Sequence, residues 1–435
     1  MLVRLLYTLT LALAAPLLLF GLYRSRPNKP SFGMRWKEHF GLTPKLNSND
    51  KPLWIHAVSV GECLAAIPLI KALKTQKPNQ VILVTTTTST GAEQIAKLGD
   101  LVEHRYMPID FSFAVRGFLK AIKPSKLLII ETELWPNTLA IVHNANIPIV
   151  VINARLSEKS QKNYAKVQPL FNLIHPYLSK ILCQSQADAD RFAQLGVASQ
   201  KLTVTGSIKF DIEISDEIRA KGAVLRTKLG QNRPIWIAAS THKREDEQVL
   251  TAHRQVLELY PNALLILVPR HPERFDAVFE LCEKQGFSTV RRTSSTGIVD
   301  KTQVYLGDTM GELLVLLGAA DVCFMGGSLL GDKVGGHNVL EPAALGVPVI
   351  IGPSYFNFKE IVEQLIQGDG IFLCDTPINL AKQLVQLFAK PEIATDIKKK
   401  LSEFVAQNAG SIMQVIETIH LVTQVQGSDS KRNIH

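Results

Sequence analysis

Cysteine is scarce in this 435-residue chain, and its five residues (Cys63, Cys183, Cys282, Cys323 and Cys374) form no C-x-x-C pair. That excludes a disulfide framework and a zinc ribbon, and it reads the thiols as buried groups of a reduced compartment. The sequence also lacks HExxH and HxxxH, the nucleophile elbow GxSxG and the Walker pattern GxxxxGK[ST]. Metalloprotease, serine-hydrolase and P-loop chemistry therefore drop out. The one Asp-x-Asp, Asp188-Ala-Asp190, falls in a predicted helix, where carboxylates two residues apart diverge, so no metal site and no cofactor are expected. There is no repeat of fixed period and no low-complexity tract.

Charge is nearly balanced except at one end. Residues 1–45 hold seven Lys/Arg against one acid, Glu38, and so carry six of the nine formal positive charges. The excess follows an uncharged stretch, Leu5 to Tyr23 (LLYTLTLALAAPLLLFGLY), long enough to cross a bilayer although Pro16 and Gly21 weaken it. The next residues, RSRPNKP, make a poor exit for a signal peptidase, and their charge predicts that the rest of the chain stays cytoplasmic. A helix lying in the inner leaflet fits equally well. No nucleic-acid partner is expected, the charge of the remainder being close to balanced.

After the polar linker Thr43 to Pro52, short apolar runs alternate with helical patterns. Strands are predicted at 53–59, 81–85, 102–107, 126–131, 148–152 and 180–183, then at 235–239, 264–268, 303–306, 322–325 and 347–351. Helices between them predict parallel sheets covered on both faces. Lys209 to Asp216 is the expected passage between two doubly wound domains. Ligands would bind in a cleft facing the carboxyl ends of the strands. The polar end, Gln426 to His435, is expected to fray.

Gly326 to Pro353, GGSLLGDKVGGHNVLEPAALGVPVIIGP, carries the most information. A strand stops at Gly-Gly-Ser, and Gly335-Gly336 leads through His337 and Asn338 into a helix bearing Glu341. Glycines ahead of a helix let backbone approach a phosphate, and an acid in the first turn suits ribose hydroxyls. The same spacing also suits any glycine-rich α/β corner. In HAVSVGECLAAIPLIKAL, Glu62 stands where a helix begins, either balancing the helix dipole or serving as a general base. ETELWPN places Glu131 and Glu133 at a strand end, to be paired, to cap or to orient a substrate. Arg270 and Lys209 are candidate phosphate ligands. GDTMGEL offers the amides of Met310 and Gly311 at another turn.

In order along nearly the whole chain, HAVSVGE, TTTTSTG, ETELWPN, INARLS, VTGSIKFD, LVPRHPERF, GDTMGEL, GGHNVLEPA and GPSYFNFKE resemble one family. It comprises the membrane-bound transferases that move 3-deoxy-D-manno-oct-2-ulosonic acid (Kdo) from CMP-Kdo to the lipid A precursor, lipid IVA. The resemblance implies a GT-B fold: two Rossmann-like domains facing a central cleft behind an N-terminal membrane anchor. The anchor is set at residues 1–24, the acceptor-binding domain at 25–210 and the CMP-Kdo-binding domain at 211–425. It further implies that Glu62 is the catalytic base and that Glu131 and Lys209 stabilise the transition state. Pro269, Arg270, Met310, Gly311, Glu312, Asn338, Val339, Leu340 and Glu341 would contact CMP. The expected partners are CMP-Kdo, the lipid A precursor and inner-membrane phospholipids, with the enzyme at the cell inner membrane. A UDP-sugar epimerase or another GT-B transferase shares the fold but leaves the anchor, SVGE and ETELWP unexplained. A non-catalytic sugar-nucleotide binder would hold CMP without turnover.

Overall fold

Strands buried on both faces read as unbroken apolar runs, and the computed structural model shows such runs at the centre of two sheets. It describes residues 2–24, 30–46, 48, 50–212, 214–295 and 297–429. Arg26 and Lys29 of the basic flank, Glu213 of the inter-domain passage and residues 430–435 lie outside the described residues. The chain divides into two compact units, Met1–Asp211 with Asn408–His435, and Ile212–Gln407.

In the first unit the strands are β1 (Leu53–His56), β2 (Ile82–Thr86), β3 (Glu103–Tyr106), β4 (Lys126–Ile130), β5 (Ile149–Ala154), β6 (Lys180–Cys183) and β7 (Leu202–Val204). They pair in the order β3-β2-β1-β4-β5-β6-β7, every pair parallel. The chain therefore starts in the middle, runs to one edge and returns to the other side. The order reverses between β1 and β4, where Leu53 pairs with both Ile82 and Lys126. The second unit repeats the plan with β8 (Ile235–Thr241), β9 (Leu264–Pro269), β10 (Thr289–Arg291), β11 (Val304–Leu306), β12 (Val322–Met325), β13 (Val349–Ile351) and β14 (Ile371–Leu373). Its order is β10-β11-β9-β8-β12-β13-β14, again parallel, and it reverses between β8 and β12. Loops diverge at such reversals, opening the crevice in which α/β proteins bind ligands.

The C-terminal segment differs from the expected boundary at 425. The helix Ser411–Asp429 belongs to the first unit. Ile412, Val415, Ile416, Ile419 and Val422 are buried in one core with Ile55, Leu69, Ile70 and Ile130. Burying each such side chain contributes about 1.5–3 kcal/mol, which favours the return crossing over a free tail. Asp211, the last residue of the first pass, caps that helix: its carboxylate accepts from Gly410 N at 2.6 Å and from Ile412 N. Lys126 also donates to the carbonyl of Ile419.

The apolar helix Leu2–Tyr23 has the length and composition to cross a membrane. None of its residues is fully buried, yet polar contacts join it to the first unit. Tyr7 Oη donates to Asp110 Oδ2 at 2.9 Å, Asn137 Nδ2 donates to Thr8 Oγ1 at 3.0 Å, and Tyr23 Oη meets His39 Nδ1 at 2.8 Å. All five cysteines are buried free thiols.

Replacing Ile416 by Ala is expected to destabilise the protein by about 2–5 kcal/mol, because the site is enclosed and cannot collapse. Urea denaturation of the full chain, followed by tryptophan fluorescence, measures the effect. A shift below about 0.5 kcal/mol, the size usual for an exposed position, would contradict the packing described.

Candidate active site

The residues singled out in the first half follow the ends of adjacent strands. After β1 the chain turns through Ser59 into the helix Val60–Gln76, and Glu62 closes a capping box there. Ser59 Oγ donates to Glu62 Oε1 at 2.7 Å and accepts from Glu62 N at 3.3 Å. Ser59 N donates to Oε1 at 3.3 Å and Val58 N to Oε2 at 2.8 Å. Glu62 thus has the structural role open to an acid at a helix start. Its environment adds something a solvated capping acid lacks. The residue is 6% exposed, and burial pushes the carboxyl up to about 7 against the opposing bonds from Ser59 and Val58. The charges of Glu131 and Glu133 push the same way.

Glu131 follows β4 directly, at φ 62°, a conformation that non-glycine residues seldom adopt. Its Oε1 accepts from Lys209 Nζ at 3.0 Å, and both side chains are about one-third exposed (31% and 32%). Solvent screens a pair of that exposure, so its role is orientation more than stability. Lys209 lies in the loop after β7, which is tied down when Ile208 N donates to the buried Asn153 Oδ1 at 3.2 Å. Trp135 is half-buried, its indole N–H on Glu133 Oε2 at 3.2 Å and its ring edge-on to His56.

In the second unit, Pro269 ends β9, and Arg270 is exposed just after it, its backbone N–H on Thr241 O at 2.9 Å. Glu341 lies close enough to feel the Arg270 charge. Burial raises its carboxyl, while the Asn338 hydrogen bond and Arg270 oppose that rise. Val339 and Leu340 are buried, so what they can offer a ligand is backbone. Met310 is 62% exposed, and Gly311 adopts φ 80° beside it. Glu312 is already paired. Arg292 donates to both its oxygens at 2.7 Å and holds the carboxyl down to about 2.

The sequence reading passed over Glu245 and His242, which organise the β8–β12 reversal. Glu245 is fully buried and accepts four backbone N–H bonds, from His242 (3.0 Å), Gly327 (2.7 Å), Ser328 (2.9 Å) and Leu329 (3.0 Å). It thereby ties the loop after β8 to the glycine turn after β12. An acid immediately ahead of the helix Asp246–Leu259 was the available signal, the same one that marked Glu62. His242 stacks on His337 at 5.1 Å with planes 5° apart and their Nε2 atoms at 2.8 Å. Burial pushes both rings down, to about 4 and about 3, so at neutral pH one neutral ring donates to the other. Gly326 is required by close approach: a Cβ there would meet the carbonyl oxygens of Ser240 at 2.7 Å and Ala239 at 2.9 Å.

Two parallel doubly wound units with their chemistry-bearing loops at the strand carboxyl ends make up the GT-B architecture. Residues 34–212 match the family model described as 3-deoxy-D-manno-octulosonic-acid transferase (kdotransferase), and residues 232–404 match glycosyl transferases group 1. A 3-deoxy-D-manno-octulosonic acid transferase of Haemophilus influenzae is 39% identical over 421 residues, covering 96% of this chain and 98% of its own. The crystal structure of the C-terminal CMP-Kdo binding domain of WaaA from Acinetobacter baumannii is 37% identical, covering 44% of this chain and 100% of that one, with a TM-score of 0.42. UDP-GlcNAc 2-epimerase from Neisseria meningitidis, at 14% identity and a TM-score of 0.51 over 85% of this chain and 99% of its own, shares the fold alone. The chain belongs to the Kdo transferase family and is a glycosyltransferase that transfers Kdo.

Glu245→Ala would leave four loop N–H groups without their acceptor, at about 1–3 kcal/mol for each that water does not reach. A loss of at least about 3 kcal/mol in chemical denaturation is expected. Near-wild-type stability would show that the two loops hold together without the carboxylate.

Proposed function

We propose that this enzyme moves Kdo from CMP-Kdo to a hydroxyl of the lipid A precursor, lipid IVA, with inversion at the anomeric carbon and Glu62 as general base. The observation that carries the reading is the Glu62 carboxyl, held near neutrality at about 7 beside the reversal point of the first sheet. A base whose pKa is raised towards neutrality accepts a proton with less driving force lost, which suits proton transfer.

In the proposed step a lone pair of the acceptor hydroxyl attacks the anomeric carbon of Kdo. The bond from that carbon to the CMP phosphate oxygen breaks, and the hydroxyl proton passes to Glu62. CMP leaves as a phosphate monoester, and Arg270 offsets the charge that builds on it. Glu131, oriented by Lys209, favours the positive character of the reacting carbon. Pro269, Met310, Gly311, Glu312, Asn338, Val339, Leu340 and Glu341 complete the CMP contacts, with Glu341 accepting from ribose hydroxyls. Direct displacement inverts the centre. The helix Leu2–Tyr23 would anchor the enzyme in the inner membrane with both units on the cytoplasmic side. That placement would put it in the leaflet that holds a lipid-borne acceptor, among anionic phospholipids.

Glu62→Gln keeps the size and one accepting oxygen of the side chain but removes the base. Turnover of CMP-Kdo with detergent-dispersed lipid IVA is expected to fall by about 10²–10⁴-fold, with CMP binding retained. A variant within threefold of wild type would end the assignment of Glu62.

The wild-type kcat/KM should rise with pH and level off above about 7 as Glu62 ionises. The same shift has a stability counterpart. A folded pKa of about 7 against an ordinary carboxyl value of about 4.5 means that the group's favourable contribution is complete below about 4.5 and is lost as pH rises from there through about 7. Thermal unfolding should therefore show Glu62→Gln gaining on wild type between about pH 4.5 and 7 and holding that gain above it. A difference that stays flat across that window would contradict the raised pKa.

A further inference from the structure

Beside the residues assigned to CMP, the second unit holds a cavity of about 410 Å³ lined by Lys243, Arg244, Gln248, Leu329, Leu330 and Lys333. We infer that Lys243, Arg244 and Lys333 form the receptor for the carboxylate of the sugar acid carried by the donor. The inference rests on the CMP-Kdo reading above and adds a subsite to it.

Position is the first argument. Lys243 and Arg244 follow β8, while Leu329, Leu330 and Lys333 follow β12, so the cavity opens at the reversal point of the second sheet. His242, the neighbour of Lys243, stacks on His337, the neighbour of Asn338, and the Arg270 charge reaches both rings. The cavity and the proposed phosphate ligand therefore lie on the same crevice. Its walls are fixed relative to each other, because Glu245 binds the amides of His242, Gly327, Ser328 and Leu329 together.

The second argument is charge. Three arginines of this unit are matched, Arg274 with Asp246, Arg291 with Asp276 and Asp308, and Arg292 with Glu312. Among the described residues, Lys243, Arg244 and Lys333 have no carboxylate within ion-pair distance, and Asp332 does not line the cavity. Three unmatched cations around one hollow raise the local concentration of anions and favour a charged occupant.

The third argument is strain. Arg244 sits at φ 79°, where glycine is at ease and a side chain costs about 1–2 kcal/mol. That cost is offset if the guanidinium itself is needed, and its planar fork matches a carboxylate.

The chemistry of the transferred group supplies the occupant. A 2-ulosonic acid bears its carboxylate directly on the anomeric carbon, which in the donor also bears the phosphate oxygen. Two anionic groups on one carbon repel, so binding both calls for a second set of cations besides Arg270. A neutral sugar would leave the three cations unmatched, so the same residues select against it.

Steady-state kinetics on the full chain in detergent test this, with CMP-Kdo as varied donor, lipid IVA as acceptor and CMP alone as competitor. Arg244→Gly suits the left-handed backbone and should fold at least as well as wild type. It and Lys333→Ala are each expected to raise the KM for CMP-Kdo about 10- to 100-fold, the worth of a charge-assisted bond. Arg244→Lys should recover part of the loss. Inhibition by CMP, which has no carboxylate, should be unchanged in all three. An unaltered KM overturns the inference, and so does CMP inhibition that weakens in parallel, since the cations would then be reading the phosphate. Wild-type enzyme that fails to use CMP-Kdo overturns the donor reading and this inference together. A working wild type with insensitive variants overturns the inference alone.

Discussion

A parallel doubly wound sheet must reverse its strand order once, and at that point two neighbouring loops part and leave backbone N–H groups without a strand to bond. Both units meet this constraint with a buried glutamate at the start of the helix that follows the first central strand. Glu62 serves β1 and Glu245 serves β8. Counting acceptor capacity separates them, since a carboxylate offers about four lone-pair directions. In Glu245 each oxygen takes two backbone N–H groups, and none is left over. In Glu62, Oε1 takes two donors from Ser59 while Oε2 takes only Val58 N. The acceptor capacity of Glu245 is filled, and that of Glu62 is not.

Burial raises the carboxyl of Glu62, as it does that of the saturated Glu245. A helix start with three donors pulls a carboxyl down; burial and two neighbouring acids push it up, and burial dominates. Lys209 holds Glu131 by an ion pair, so Glu131 stands nearby as a negative charge. The three residues form a chain of dependence. The Lys209 loop is positioned by Asn153 and followed by Asp211, and Asp211 caps the returning helix. The distant C-terminus thus bears on the site through packing and not through chemistry of its own.

Much of this was legible in the sequence because the information was local. Central strands such as KLLII and IWIAA announce themselves by unbroken apolar runs, and SVGE, ETELWPN and GGHNVLEPA mark the ends where side chains leave the core. The strands β7, β10 and β14 were not recognised: each has three residues, sits at or near an edge and is too short to show a period. The segment SIMQVIETIHLV carries an apolar stripe, but nothing local says which unit buries it. That is decided by Asp211 and Lys126, 199 to 293 residues from the groups they bond. Glu245 was passed over because THKREDEQ reads as an ordinary charged helix start, although its burial is complete.

Backbone strain divides along the same line. Among the described residues, seven without the freedom of glycine have positive φ. Lys123, Asn146 and Asp369 stand at or just beyond helix C-termini, where the left-handed turn satisfies the last carbonyls. The other four, Glu131, Asn153, Ser240 and Arg244, lie at or just beyond the carboxyl ends of β4, β5 and β8. Helix termination explains the first three and says nothing of the rest. Each of the four costs on the order of 1 kcal/mol or more and persists because the rest of its own unit holds the backbone around it. Three of them act on the sites directly: Glu131 aims its carboxylate at Lys209, Asn153 holds the Lys209 loop, and Arg244 faces the cationic cavity. Ser240 brings its carbonyl against Gly326, which explains why that turn tolerates no side chain. A fold needing only stability would relax these positions; one that must aim charged groups from strand ends keeps them strained.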